Sequence, residues 1–214
     1  MGRNAWTAVV VAWLGAVIGG FAWLAVYANT PGAAAHAPAT WPTNSAVTMD
    51  HERPTLVMLA HPRCTCSRAS LAELAELLAR APRKPRTYVV FIKPGSAGVE
   101  WEKTDLWRTA AALPGVTVLR DDDGVEARRF GAETSGQVFL YDVGGRLLYS
   151  GGTTGARGHI GDNLGRAAIL AHLSGAPASR STADVFGCSL FGDAAGDAAS
   201  AETDDDHGHD RGGR

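Results

Sequence analysis

Apolar residues run almost unbroken from Ala5 to Ala28, and beyond them the pattern breaks into short runs separated by helical periodicities. At about 1.5 Å per residue, 24 helical residues reach roughly 36 Å, enough for a hydrocarbon core of about 30 Å with some tilt. In the body, Thr55–Ala60 (TLVMLA) reads as a buried strand. Leu71, Leu74, Leu77 and Leu78 recur at helical spacing and predict a helix over Ser67–Arg80, with Glu73 and Glu76 facing out. Ser70 with Glu73 fits a capping box, and Ser67 is an alternative cap one turn earlier. Pro82 and Pro85 stop this helix, and Thr87–Ile92 (TYVVFI) is the next strand. Further on come a helix around Lys103–Ala112, a strand at Val116–Arg120, an Asp121–Gly124 turn and a short helix over Val125–Phe130. Gln137–Asp142 and Arg146–Gly151 flank Val143-Gly144-Gly145, a strong hairpin signal. Gly161–Leu173 is the last amphipathic helix. The order β-α-β-α-β-α-β-β-α predicts an α/β fold, a mixed sheet flanked by helices on both faces, with one N-terminal transmembrane helix.

Charge sharpens the division of the chain. No charged residue lies from Asn4 to Met49, and eight acids face two arginines from Ala183 to the end. We therefore divide the 214 residues into a cytoplasmic start and anchor (1–28), an Ala/Pro-rich linker (29–49) holding the body off the bilayer, a folded domain (50–175) and an acidic tail (176–214). The tail reads as largely disordered, apart from an apolar island at 184–191 expected to dock on the domain. Arg3 precedes the apolar segment, so the positive-inside rule leaves the N-terminus in the cytoplasm and the body outside. That predicts a single-pass protein with its C-terminal domain across the membrane from the cytoplasm. A cleaved signal peptide is the competing reading, with Ala-x-Ala at Ala33–Ala35 and Ala35–Ala37, but its apolar core should span only about 7–15 residues. A net charge of −2 argues against a nucleic-acid partner.

Three cysteines are too few for a disulfide scaffold. Two of them lie in His61-Pro62-Arg63-Cys64-Thr65-Cys66-Ser67-Arg68, between a buried strand and a helix start. Helix N-termini carry unpaired N–H groups and the positive end of the macrodipole, which lower a thiol's pKa. Arg63 and Arg68 are expected to add to that effect. Cys64 is then the nucleophile and Cys66 the resolving thiol, in a tight Cys-x-Cys ring expected to be strained and oxidising.

Strand, cysteine motif, helix, strand, hairpin and terminal helix resemble the thioredoxin-like superfamily over roughly residues 50–173. The His-Pro-x-Cys-x-Cys-Ser-Arg-Ala-Ser motif, with the later Gly-Ala-Arg-Gly-His-x-Gly-Asp-Asn, is similar to membrane-anchored bacterial proteins called RedB-type, here in a Cys-x-Cys variant. The resemblance implies that Cys64 matches the attacking cysteine. Ser67 falls where the usual second cysteine sits, and Cys66 takes its place one residue early. The family's cis-proline before the fourth strand, which helps hold substrate peptides and keeps metals away, is missing from Thr134-Ser135-Gly136-Gln137.

The Gly-rich stretch 151–163 should lie beside the cysteine turn. There His159 is a candidate base toward Cys64 or a metal ligand, and Arg157 a candidate anion or thiolate partner. Cys188, on the apolar island, is either a third redox or metal partner or a packed bystander. The favoured expectation is a membrane-anchored periplasmic thiol–disulfide oxidoreductase without cofactor. Its catalytic residues are Cys64, Cys66, Arg63, Arg68 and His159, its partners are protein thiols or disulfides, and residues 5–28 hold the membrane. The alternatives are a copper-binding chaperone using Cys64, Cys66 and His159, a thiol peroxidase resolved by Cys66 or Cys188, and a structural domain without turnover.

Overall fold

Strand β1 (Thr55–Ala60) is buried along its whole length, and alternate residues feed two separate cores. Leu56, Met58 and Ala60 join one core, while Val57 and Leu59 join the other, as the period of two along a strand requires. A strand covered on both faces reads as a continuous apolar run, which is why this element was legible in the sequence.

The computed structural model describes residues 2–191. After helix α1 (Arg3–Asn29) and β1 come α2 (Ser67–Arg80), β2 (Arg86–Lys93), α3 (Asp105–Ala111), β3 (Val116–Asp122) and α4 (Val125–Arg129). They are followed by β4 (Gln137–Tyr141), β5 (Leu147–Gly151), α5 (Leu164–Ser174) and a two-residue strand β6 (Thr182–Ala183). The sheet order is β3-β2-β1-β4-β5-β6. Strands β1, β2 and β3 are parallel to one another, and β4 runs antiparallel to both β1 and β5. This is a mixed α/β sheet of thioredoxin-like arrangement, flanked by helices. Asp142 holds the β4–β5 turn by accepting from the N–H groups of Gly144 and Arg146 at 3.0 and 2.8 Å.

The two faces are covered differently. Leu71, Leu74 and Leu77 of α2, Leu106 of α3, and Ile169 and Leu173 of α5 close one face. The other face has only the five-residue α4, and chain outside the regular elements completes it. Ala35, Ala37, Trp41 and Val47 pack there, as do Leu190 and Phe191. The linker is therefore not a spacer. Its backbone bonds the domain through His36 N to Gly131 O (2.9 Å), Trp41 N to Gly145 O (2.7 Å) and Leu147 N to Ala39 O (2.9 Å). Its prolines keep it extended, and its Ala, Trp and Val side chains supply the apolar cover the short helix lacks.

Helix α2 departs from expectation at Glu73. The capping box does not form, because Cys66, with helical φ and ψ, is the residue before the helix and makes no side-chain cap. Glu73 is fully buried instead. Its carboxylate accepts from Gly161 N at 2.7 Å and Asn163 Nδ2 at 2.9 Å, and pairs with Arg166. Helical spacing detects the apolar stripe facing the sheet; the second cover of α2 comes from a loop some ninety positions later. Helix α5 starts at Leu164, three residues later than expected, where Asn163 caps it by accepting from Arg166 N at 2.7 Å.

Helix α1 contains a 26-residue span, Asn4–Asn29, within which an 18-residue window has mean hydropathy 2.2 and is not buried at all. It is long and apolar enough to cross a membrane. The segment 184–191 lies against the domain, with Val185 and Leu190 buried. Residues 192–214, the part of the acidic tail expected to be disordered, lie outside the described residues.

Candidate functional site

The chain leaves β1 at Ala60 and turns through His61–Cys66 into α2. Cys64 N donates to His61 O (3.2 Å) and Ser67 N to Cys64 O (3.0 Å), so the helical turn is already wound at Cys64. Cys64 is 1% exposed, although it sits at the mouth of the sheet. What covers it is the tail. The sulfurs of Cys64 and Cys188 are 2.7 Å apart, and Cys188 N donates to Cys64 Sγ at 3.4 Å.

These donors stabilise a thiolate. The Cys64 pKa falls to about 4, first because the Cys188 thiol donates to it, with burial opposing, and then through Cys188 N–H and the Ser67 hydroxyl and N–H. Cys188 moves the other way: donating to Cys64 holds its own proton on, and burial reinforces this. Burial and the neighbouring Cys64 charge also raise the pKa of Cys66, with the Arg157 guanidinium opposing them. One site thus holds one ready thiolate and two thiols that keep their protons.

The loop before β4, Thr134-Ser135-Gly136, carries no proline, and its serine reaches the cysteine turn. Ser135 Oγ accepts from His61 N at 2.7 Å and lies 2.7 Å from Ser67 Oγ, tying the cysteine turn to the start of β4. No peptide bond among the described residues is cis. Ser135 N donates to Cys188 O (2.8 Å), Leu190 N to Glu133 O (2.9 Å), and Thr134 and Ser189 form an antiparallel bridge. The tail therefore adds a short β-like segment to this loop.

The other sequence candidates are dispersed. Arg63 lies over the Trp101 ring at 5.1 Å, and Arg68 pairs with Asp105. His159 is exposed, with its ring over Gly155 and Gly161, because the positive φ at Gly158 and Gly161 folds the loop back on itself. The metal set Cys64, Cys66 and His159 is not assembled; among the described residues no three His, Cys, Asp or Glu side chains form a group able to hold an ion. The cation beside the cysteines is Arg157. It donates to Gly187 O at 2.5 Å, stacks over Tyr27 at 5.0 Å, and donates its backbone N–H to Ala28 O at 2.9 Å. It so connects the end of the apolar helix to the site. Ser135 had no sequence signal beyond the missing proline, whereas the apolar island around Cys188 was a signal that this segment would dock on the domain, as it does through Val185 and Leu190, with Cys188 itself left exposed.

These features define a thioredoxin-like domain with a three-cysteine centre at the carboxyl end of its central strand. No protein-family model matches the chain, and no curated protein matches it. Among solved structures it is similar to a hypothetical protein from Sinorhizobium meliloti, at 22% identity and TM-score 0.56, covering 77% of this chain and 96% of that one. An uncharacterized conserved protein from Geobacillus kaustophilus gives 18% identity and TM-score 0.56, covering 78% and 94%. The exposed lipoprotein thioredoxin of Streptococcus pneumoniae gives 20% identity and TM-score 0.41, covering 57% and 84%. For the Sinorhizobium and Geobacillus proteins, at 22% and 18% identity, the likeness is one of fold.

Proposed function

We propose that the protein is a membrane-anchored thiol–disulfide oxidoreductase of RedB type, with its domain in the bacterial periplasm and α1 as its inner-membrane anchor. The observation that carries this reading is Cys64: a thiolate held near pKa 4 at a strand-to-helix turn, with a second sulfur in reach. The thiolate is the species that attacks a disulfide, so a thiol ionised at neutral pH is poised for exchange. Substrates are protein disulfides or thiols, and exchange between them needs no cofactor. Cys64 attacks, and a neighbouring thiol resolves the mixed disulfide; Cys66 is the candidate within the motif. Ser67 and the Cys188 N–H stabilise the thiolate when it is regenerated. Arg157 holds positive charge beside Cys66, while Arg63, Arg68 and His159 lie around the rim, where they would meet a docking partner.

The test is equilibration of the metal-free, full-length protein in detergent across a series of thiol/disulfide buffers, followed by alkylation and mass measurement. A reversible two-electron couple that includes Cys64 is expected. Cysteines that stay reduced throughout the series overturn the assignment. Alkaline phosphatase fused after residue 191 is expected to be active, and an inactive fusion overturns the periplasmic placement.

A further inference from the structure

We infer that Cys188 is the resolving cysteine of this centre, closing a Cys64–Cys188 disulfide, and that the 184–191 segment occupies the place of a substrate peptide until one displaces it. The inference rests on the oxidoreductase reading above and changes its second thiol.

Three observations carry it. First, the two sulfurs are 2.7 Å apart, inside the roughly 3–3.5 Å of a near-attack arrangement, so a small closing movement reaches the ~2.05 Å of a disulfide. Second, Cys66, with φ −65° and ψ −28°, is the residue before α2 and its thiol also comes within hydrogen-bonding reach of Cys64, so the choice between the two partners falls to the backbone. A Cys64–Cys66 bond would have to unwind the turn closed by Ser67 N to Cys64 O. Third, the tail meets Glu133–Ser135 as an extended peptide meets a sheet edge, through backbone hydrogen bonds on both sides of Thr134. Gly187 permits this approach, because a Cβ there would collide with the Ser135 carbonyl. Val185 and Leu190 anchor the segment on either side of Cys188.

The steps balance. The Cys64 thiolate attacks a substrate disulfide R–S–S–R′, forming Cys64–S–S–R and releasing R′–S⁻. With Cys64 in the mixed disulfide, Cys188 no longer donates to a thiolate; it gives up its proton, its thiolate attacks Cys64 Sγ to form Cys64–S–S–Cys188, and the departing R–S⁻ takes up that proton as R–SH. The substrate gains two electrons and the pair loses two. A dithiol donor returns the pair to its reduced form.

Oxidised glutathione serves as the probe, added in excess to the reduced, metal-free, full-length protein in detergent. Samples are acid-quenched, alkylated, digested and mapped by mass. The expected product is a Cys64–Cys188 cross-link with Cys66 alkylated. In Cys188→Ser, whose hydroxyl keeps a donor on Cys64, the Cys64–glutathione adduct should accumulate at least tenfold over the wild type. Gly187→Ala, which retains the thiol and lifts the segment, should slow closure several-fold. A Cys64–Cys66 cross-link in the wild type, or resolution in Cys188→Ser at the wild-type rate, overturns this inference and leaves the oxidoreductase reading standing. Failure of Cys64 to take up glutathione in either protein overturns both.

Discussion

Two segments distant in sequence close over the cysteine turn, and they are fastened by different forces. The loop from Gly155 to Arg166 is tied down by charge: Glu73, fully buried, holds Gly161, Asn163 and Arg166 at once. The tail from Ser181 to Phe191 is held mainly by backbone hydrogen bonds and by apolar plugs, chiefly Val185 and Leu190, with a single cationic tie from Arg157 to Gly187 O. A buried charge cannot lose its partner without a large penalty, so the first segment is fixed whenever the domain is folded. Backbone bonds at a sheet edge exchange for water at little net cost, about 0.5–1.5 kcal/mol each, so the second segment can lift alone. The wall of the site is built with ions and its door with peptide bonds.

The largest effect should come from breaking the wall. Arg166→Met leaves Glu73 buried and uncompensated, and should destabilise the protein by about 3–5 kcal/mol. Adding Glu73→Leu to it should recover part of that loss, since removing both charges costs less than stranding one. Denaturant titration of the two proteins measures both. A single variant as stable as the wild type would mean that the loop is no more firmly held than the tail.

A smaller effect is expected at the door. A core Leu→Ala change typically costs about 2–5 kcal/mol, but Leu190→Ala should fall below that range in global unfolding, because the tail can release while the sheet stays intact. The lost anchoring should appear as exposure of Cys64, with alkylation about tenfold faster for each ~1.4 kcal/mol by which undocking becomes easier. A full global loss with unchanged alkylation would make the tail part of the cooperative core and erase the contrast.

The same contrast explains what the sequence showed. The strands and helices of the β-α-β body were legible because each declares itself by local period, and Cys64 because its neighbours place it at a helix start. Glu73 was misplaced because the pattern of Leu71, Leu74 and Leu77 records one covered face and cannot register a loop arriving from residue 161. Strand β6, at two residues, is too short to carry any period. The linker's docking was hidden by its prolines, which signal extension but not what the extended chain touches. The short contact of Cys64 with Cys188 spans 124 positions, and no local pattern encodes it.

The finest test separates the two things the tail does for Cys64: donating a hydrogen bond and supplying a second sulfur. With the Cys64 pKa near 4, alkylation of accessible Cys64 should be nearly flat above about pH 5 and fall off through pH 4. Cys188→Ser keeps a donor and should keep that profile, whereas Cys188→Ala removes the leading cause and should move the midpoint toward neutrality. Stability must follow with a definite sign. Between about pH 4 and the ~8.5 of an unfolded cysteine, the unfolded chain binds a proton that folded Cys64 does not, so the reduced protein gains stability as pH rises. That contribution is complete only above the unfolded value and is lost as pH falls through the folded one. Cys66 and Cys188 act oppositely: their raised pKa values give stability that is present below about pH 8.5 and declines above it. The reduced wild type should therefore be most stable near pH 8.5. In Cys188→Ala the rise should begin at a higher pH, whereas in Cys188→Ser it should begin where it does in the wild type. Identical pH profiles for the alanine and serine variants would show that the Cys188 thiol does not hold the Cys64 charge, leaving the tail as a cover and nothing more.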